Sequence, residues 1–140
     1  MSVYLDASIL VALFTIDRHS ARADALLKNQ QPVLVVSDFA SAEFSSAVAR
    51  RVRTADLTAD EARAAFAALD AWTARTAQRA TTGTADVAAA EAFLRRLDLN
   101  LRTPDALHLA IAQRIGVTLA TFDNGMAANA RVLGIAIAAV

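Results

Sequence analysis

Apolar runs and segments of helical periodicity alternate along this chain. Runs of apolar residues without polar alternation lie at residues 3–5, 33–36 and 117–122, and such runs are typical of strands that are buried on both faces. Between them, apolar side chains recur at every third or fourth position, which predicts amphipathic helices. Strands that alternate with helices over short connections predict an α/β fold, with a parallel sheet covered by helices on both sides.

The predicted helices have recognisable start and stop signals. Thr58 and Glu61 match a capping box, so a helix is predicted to begin at Thr58. Thr103 is predicted as the N-cap of another helix, with Pro104 at its first position and Gly116 at its end. The predicted helices cover residues 7–15, 19–29, 38–53, 58–72, 84–97, 104–115 and 123–132; residues 73–82 are ambiguous and include a candidate strand, and residues 135–140 are predicted as a last strand.

The size and composition of the chain indicate one globular domain. Its 140 residues suit a single domain at residues 1–140, and a hydrophobic fraction of 56% is that of a compact core. Apolar runs such as residues 9–14 are far shorter than a membrane span, and Asp6 interrupts the apolar start where a signal peptide would continue. The absence of cysteine excludes disulfides and thiolate metal sites. We therefore expect a cytoplasmic protein.

The charge of the chain limits how it could bind nucleic acid. The formal net charge is zero, which argues against a protein that wraps nucleic acid by charge alone, although an acidic cluster could cancel a cationic rim in this sum. The cations are thirteen arginines and the single Lys28. Arginine binds phosphate in a bidentate manner, but an excess of arginine and alanine also follows from GC-rich codons, and both explanations stay open.

Four acidic residues fall where a sheet of this kind collects its ligand chemistry. Asp6 and Asp123 follow predicted strands, so they lie at the carboxyl ends of those strands. Glu43 and Asp105 lie in the first turns of predicted helices, which can begin at the same edge. Carboxylates that share one crevice repel each other unless a cation lies between them. The four positions therefore predict a divalent metal site.

Carboxylate oxygens suit Mg²⁺ or Mn²⁺, and the sequence lacks the histidine spacing that binds zinc. Each acid also has a structural explanation: Asp105 would favour the dipole of its helix, and Asp123 could be an N-cap. Asp6 and Glu43 have apolar neighbours, and charges in such surroundings are usually paired or metal-bound. His108 lies three residues after Asp105 on the same helix face; a partner of a metal ligand is one interpretation, and a buried, hydrogen-bonded structural histidine is the favoured one.

Other catalytic classes lack their motifs. The chain contains no phosphate-binding P-loop, no dinucleotide-binding glycine pattern and no G-x-S-x-G nucleophile elbow. A phosphoaspartyl enzyme could use Asp6, but it would need a second acid where this chain has Ser8, and a lysine better placed than Lys28.

Four short motifs occur in order along nearly the whole chain: Tyr4-Leu5-Asp6-Ala7-Ser8, Ser41-Ala42-Glu43, Thr103-Pro104-Asp105-Ala106-Leu107-His108 and Thr121-Phe122-Asp123. Together they resemble the PIN-domain ribonucleases and, in size and order, the VapC toxins of bacterial type II toxin–antitoxin pairs. The resemblance implies a three-layer α/β/α sandwich with a central, mainly parallel sheet, and a Mg²⁺- or Mn²⁺-dependent endoribonuclease. It also implies a homodimer, and a cognate VapB antitoxin that lays its C-terminal segment over the active site.

The resemblance also assigns roles to individual residues. The family often has a basic residue after the last acid, where this chain has Asn124 and Gly125, so it is open how the substrate phosphate is held on that side. For RNA binding we select Arg50 and Arg51, because Arg50 lies two turns after Glu43 on one helix face; a solvated helix end is an equal alternative. The resemblance makes Asp6, Glu43, Asp105 and Asp123 the catalytic residues and metal ligands, and Ser8 and Thr121 the supporting hydroxyl groups.

Two alternatives to a toxin stay open. One is an RNA-processing nuclease of the same fold outside toxin–antitoxin systems, and the other is a partner-binding module whose carboxylates no longer catalyse. Metal-dependent cleavage by the purified protein would exclude the binding module. If the acids form a metal site, Asp6→Asn or Asp105→Asn should leave the metal-free protein as stable or more stable, because each removes a repelling charge.

Overall fold

The computed structural model describes residues 1–140, except for the side chain of Gln30. Within the described residues, four strands alternate with seven helices. The strands are β1 (Ser2–Leu5), β2 (Val33–Ser37), β3 (Ala77–Ala80) and β4 (Thr118–Ala120). The helices are α1 (Ala7–Phe14), α2 (Ser20–Gln30), α3 (Asp38–Arg53), α4 (Ala59–Thr76), α5 (Thr84–Arg95), α6 (Thr103–Ile115) and α7 (Asn124–Val132).

The four strands form one parallel sheet in the order β3-β2-β1-β4. Side chains alternate across the sheet, since Val3 and Leu5 pack into one apolar cluster while Tyr4, between them, packs into another. Buried residues of α1, α2, α3 and α4 belong to the first cluster, and those of α5, α6 and α7 belong to the second. The sheet is therefore covered on both faces, which confirms the predicted three-layer α/β/α architecture.

The predicted start of α4 is confirmed, but the helix runs further than its pattern indicated. Thr58 and Glu61 form the reciprocal capping box, with both hydrogen bonds present. The helix continues past residue 72 to Thr76, and the ambiguous segment after it contains β3. Among the described residues no helix has the length and apolar character to cross a membrane.

Two predicted boundaries at the other end of the chain are wrong. The helix α6 begins one residue early, because Thr103 is already helical and Arg102 is the N-cap. The segment at residues 135–140 is no strand: it forms a single bridge from Ile137 to Leu119. The physical reason is that β4 has only three residues, so its free edge provides one position at which a neighbouring segment can pair.

Candidate active site

The acidic residues meet the sheet where its strand order changes direction. In the sheet, β2 lies on one side of β1 and β4 lies on the other, so the connections after β1 and β4 diverge at their carboxyl ends. Ligands of open α/β sheets bind in the crevice between such diverging connections. Asp6 follows β1, and its backbone N–H donates to the carbonyl of Ala120 at the end of β4, 3.2 Å away. Asp6 and the segment after β4 therefore lie side by side at the carboxyl edge.

Asp6 is buried, with 2% of its surface exposed, and it is held by three donors. Its Oδ1 accepts from the Ser8 hydroxyl at 2.6 Å and from the Ile9 backbone N–H at 3.2 Å, so the side chain also caps α1. Its Oδ2 accepts from the Thr121 hydroxyl at 2.6 Å. Ser8 and Thr121, selected from the sequence as supporting hydroxyl groups, are thus the residues that hold this carboxylate.

The two hydroxyl groups have a fixed direction of donation. The oxygen of Ser8 accepts from the backbone N–H of Phe122 at 3.0 Å, and the oxygen of Thr121 accepts from the backbone N–H of Asp123 at 3.0 Å. Because a backbone N–H can only donate, the proton of each hydroxyl is directed at Asp6. Burial raises the pKa of Asp6, while the bonds from Ser8 and Thr121 oppose that rise because they favour the ionised form. The three donors therefore favour the ionised form of a carboxylate that is shielded from solvent.

Glu43 is held by a hydrogen-bonded chain that crosses the core. Its Oε2 lies 2.9 Å from Nε2 of His108, and Nδ1 of His108 lies 2.7 Å from the Tyr4 hydroxyl. The Tyr4 hydroxyl lies 2.8 Å from the hydroxyl of Ser37, which caps α3 by accepting from the Ala40 backbone N–H. His108 is fully buried, as the sequence indicated, and it is also in direct contact with a site residue.

The direction of donation along these hydrogen bonds can be followed from the backbone N–H at their end. Because Ala40 N–H donates to Ser37, every proton is used if Ser37 donates to Tyr4, Tyr4 to Nδ1 of His108, and Nε2–H of His108 to Glu43. The ring is neutral in that arrangement, and it fixes one oxygen of Glu43. The sequence offered a contact between His108 and a metal ligand as the less favoured alternative, and it gave no sign of the role of Tyr4, whose partner His108 lies 104 residues away.

Asp105 and Asp123 occupy the more open part of the site. Asp123 is exposed and caps α7, since its Oδ1 accepts from the Met126 backbone N–H at 2.9 Å. Asp105 is partly buried in the first turn of α6. Burial raises the pKa of Asp105, and the negative charges of Asp123 and Glu43 raise it further. Three of the four acids are therefore close enough to repel one another.

The donor chemistry fits a hard divalent cation, although the side chains do not converge as a finished site. In their present conformations, no three His, Asp or Glu side chains of the described residues lie close enough together to hold a metal ion. The repulsion that raises the pKa of Asp105 is nevertheless the kind that a bound cation removes, and carboxylate oxygens are the ligands that Mg²⁺ and Mn²⁺ prefer. On that chemistry the residues fit such an ion, given some rotation of the exposed side chains.

A cleft of about 690 Å³ between α1 and α3 connects the acids to arginine side chains. Its lining includes Ser8 and Glu43 from the acidic site together with Arg50, Arg53 and Arg102. Arg50, which the sequence analysis selected, is exposed on this cleft. Arg53 and Arg102 were not selected; the position of Arg53 three residues after Arg50 on one helix face was a signal for the first of them.

Arg51, the other arginine selected for RNA binding, has structural partners. Its Nε donates to Asp56 at 2.6 Å, Nη1 donates to the Thr15 hydroxyl at 2.7 Å, and Nη2 donates to the Ile16 carbonyl at 3.2 Å. These contacts join the end of α1 to the loop after α3. Although Arg51 also lines the cleft, three of its donor nitrogens are already hydrogen-bonded, whereas Arg50 is exposed on the cleft.

The sequence of this chain matches the model of the PIN domain family over residues 3–132. That range contains all four acids and nearly all of the described secondary structure. Among curated proteins, none matches the chain.

The fold is similar to solved structures from several bacteria. The VapC20 toxin of Mycobacterium tuberculosis, described as cleaving the sarcin–ricin loop, is 22% identical with a TM-score of 0.75, over 91% of this chain and 94% of that one. VapBC2 from Rickettsia felis, solved bound to a promoter DNA fragment, is 15% identical with a TM-score of 0.70, over 99% and 98%. VapBC-1 from nontypeable Haemophilus influenzae is 14% identical with a TM-score of 0.70, over 99% and 97%. At these identities the likeness shows a shared fold.

Proposed function

Because the chain belongs to the PIN domain family, we propose that it is a metal-dependent endoribonuclease that acts as the toxin of a type II toxin–antitoxin pair. The observation that carries the proposal is the meeting of repelling carboxylates with an arginine-lined cleft: Glu43, whose charge raises the pKa of Asp105, lines the same cleft as Arg50. Such a site can take a cation at one end and a phosphate backbone along its length.

Asp6, Glu43, Asp105 and Asp123 would hold Mg²⁺, or Mn²⁺ in its place. Such an ion supplies an activated water molecule for attack on the phosphodiester and neutralises charge on the phosphate. Ser8 and Thr121 fix the orientation of Asp6 and oppose the rise in its pKa that burial causes, and His108 fixes the position of one oxygen of Glu43. Arg50 contributes an exposed guanidinium on the path of the RNA.

The test of this function is RNA cleavage by the purified chain. We expect cleavage in Mg²⁺ or Mn²⁺, none in EDTA, and loss of activity in Asp6→Asn and Asp105→Asn. Asp70→Asn is the matched control, because Asp70 is an exposed acid of α4 outside the site. Full activity in EDTA would contradict the proposal, and complete inactivity of the wild type under all metal conditions would favour the catalytically silent binding module instead.

The toxin role adds a partner, a VapB-like antitoxin, and a homodimeric state. The support is the fold shared with VapBC structures from Rickettsia felis and Haemophilus influenzae. Expression of the chain alone should arrest growth, and co-expression of the small protein encoded beside it should relieve the arrest. If wild type and Asp6→Asn slow growth equally, the toxicity has another source. Cleavage without growth arrest would favour an RNA-processing nuclease.

A further inference from the structure

Two side chains at the start of α2 pack on Phe122, the residue between Thr121 and Asp123, and a third is hydrogen-bonded to one of them. The ring of His19 stacks on the ring of Phe122, with centroids 4.4 Å apart and planes inclined by 16°. The guanidinium of Arg22 lies over the same ring, 5.0 Å from its centroid. Nε of Arg18 donates to Nε2 of His19 at 3.1 Å. An aromatic pair therefore holds two arginines beside the acidic site.

The two arginines of this cluster converge without a carboxylate between them. Nη1 of Arg22 lies 3.4 Å from the second ring nitrogen of His19, so both guanidinium groups approach one imidazole. Neither forms a salt bridge within the described part of the chain. Asp17, their neighbour in sequence, accepts from the backbone N–H of His19 at 2.8 Å. Arg22 also donates to the main-chain oxygen of Val140, which holds its guanidinium in place.

The cluster is joined to the acids by short hydrogen bonds. The backbone N–H of Phe122 donates to Ser8 at 3.0 Å, and Ser8 donates to Asp6 at 2.6 Å. Ser8 also lines the cleft that contains Arg50. Cations thus flank the acids from two elements, α3 on one side of Ser8 and the start of α2 on the other. The segment at residues 115–130 contains no lysine or arginine of its own, and Arg22 contacts it at Phe122 while Arg18 is joined to it through His19.

We propose that Arg18 and Arg22 bind an RNA phosphate on the Asp123 side of the active site. Arg22 is held over the ring of Phe122, and Arg18 is held by His19, which stacks on the same ring. A single strand that crosses the acids would then be held by Arg50 on one side and by this pair on the other. Guanidinium groups bind phosphate through charge-assisted, bidentate hydrogen bonds, and a rigid mount reduces the entropy lost when they do so. The inference rests on the proposed ribonuclease function and names a second subsite for its substrate.

The experiment measures RNA binding separately from cleavage. A fluorescein-labelled single strand of about 12 nucleotides, within the usual site size of such proteins, is titrated with full-length chain in EDTA, and anisotropy is recorded at several salt concentrations. For the double variant Arg18→Ala/Arg22→Ala we expect affinity to fall roughly tenfold at low salt, and the slope of log affinity against log salt to fall by about 0.7 for one lost phosphate contact. The control is Arg75→Ala, an exposed arginine in the last turn of α4.

A steady-state measurement in Mg²⁺ separates substrate binding from a structural effect. We expect the double variant to raise KM with little change in kcat, because the pair acts on bound RNA away from the carboxylates. Arg18→Lys should keep most of the affinity, since it keeps the charge. If Arg22→Ala lowers the melting temperature, Arg18→Ala alone carries the test, because the Arg18 side chain is exposed and donates only to His19.

The outcomes distinguish this subsite from the function it serves. If the wild type cleaves RNA and the double variant binds RNA as tightly as Arg75→Ala, with the same salt slope, the subsite is refuted and the ribonuclease stands. If the wild type fails to cleave RNA but the double variant still loses affinity and slope, the ribonuclease is refuted and the phosphate site stands. A variant that loses kcat at unchanged KM would also overturn the subsite.

Discussion

Asp6 and Asp105 are both carboxylates whose pKa is raised by burial, yet the fold treats them in opposite ways. Asp6 receives three hydrogen bonds, two of them from hydroxyl groups whose only protons are directed at it. Asp105 instead lies near the negative charges of Glu43 and Asp123, which raise its pKa further. The donors of the protein therefore stabilise the charge of Asp6, whereas Arg102 offsets the repulsion at Asp105 only in part, so that a bound cation would relieve it further.

The largest predicted effect is that of Asp6→Asn in the absence of metal, and it tests whether hydrogen bonds within the protein stabilise the charge of Asp6. The amide would place an N–H₂ group against Ser8 or Thr121, and the hydroxyl proton there would lose its acceptor, because the oxygen already faces a backbone N–H. We expect the free energy of unfolding in EDTA to fall by about 2–3 kcal/mol, the cost of buried groups left unpaired. Charge repulsion alone predicted that Asp6→Asn would leave the free energy of unfolding unchanged or raise it, whereas the hydrogen bonds to Asp6 now predict that it falls. Urea unfolding of wild type, Asp6→Asn and Asp70→Asn measures it, and equal stability of all three would show that the hydroxyl groups do not hold Asp6.

A smaller effect is expected from the donor itself. Thr121→Val removes the hydroxyl that donates to Asp6 and accepts from the Asp123 backbone N–H, so two polar groups lose a partner. We expect a loss of about 1–2 kcal/mol in the free energy of unfolding. Thr121→Ser keeps the hydroxyl and should retain most of the stability. If the serine variant is as unstable as the valine variant, lost packing of the methyl group and not the hydrogen bond is responsible.

Metal binding tests whether a cation balances the charge of Asp105. A ligand that binds only the folded state stabilises it by mass action, by about 1.4 kcal/mol at ten times its Kd. We expect thermal melts of the wild type to shift upwards with Mn²⁺ by an amount that follows this relation, and the shift to disappear in Asp105→Asn. Asp70→Asn should shift like the wild type. A shift of equal size in Asp105→Asn would place the cation elsewhere.

The smallest effect is the pH dependence of Asp105 in the metal-free protein. A carboxyl whose folded pKa is raised contributes stability that is fully present below the unfolded pKa, which is 3.8 for this group, and that is lost as pH rises through the folded pKa. At neutral pH the charge is therefore a cost, and Asp105→Asn should be more stable than wild type by about 0.5–1 kcal/mol. The difference should vanish near pH 4. A variant that is less stable at neutral pH would mean that the helix start needs this charge.

The sequence predicted the parts of this site that depend on local pattern. Helix α3 has the predicted bounds, and Asp6 and Asp123 lie at strand ends where they cap helices, because burial runs and capping residues act over a few positions. The contacts that decide side-chain roles are not local. Arg51 pairs with Thr15, and Glu43 with His108, across 36 and 65 residues, so no pattern in the sequence could indicate either contact.

The same long separations have a consequence for synthesis on the ribosome. The hydroxyl that holds Asp6 arrives 115 residues later in the chain, and the imidazole that joins Tyr4 to Glu43 arrives 104 residues after Tyr4. Chains emerge from the amino terminus, so the acids are exposed long before the groups that orient them. An unfinished chain that ends before Thr121 contains three of the four carboxylates, Asp6, Glu43 and Asp105, but lacks one of the donors that hold Asp6. If the proposed nuclease needs Thr121, it would become active only once translation is nearly complete.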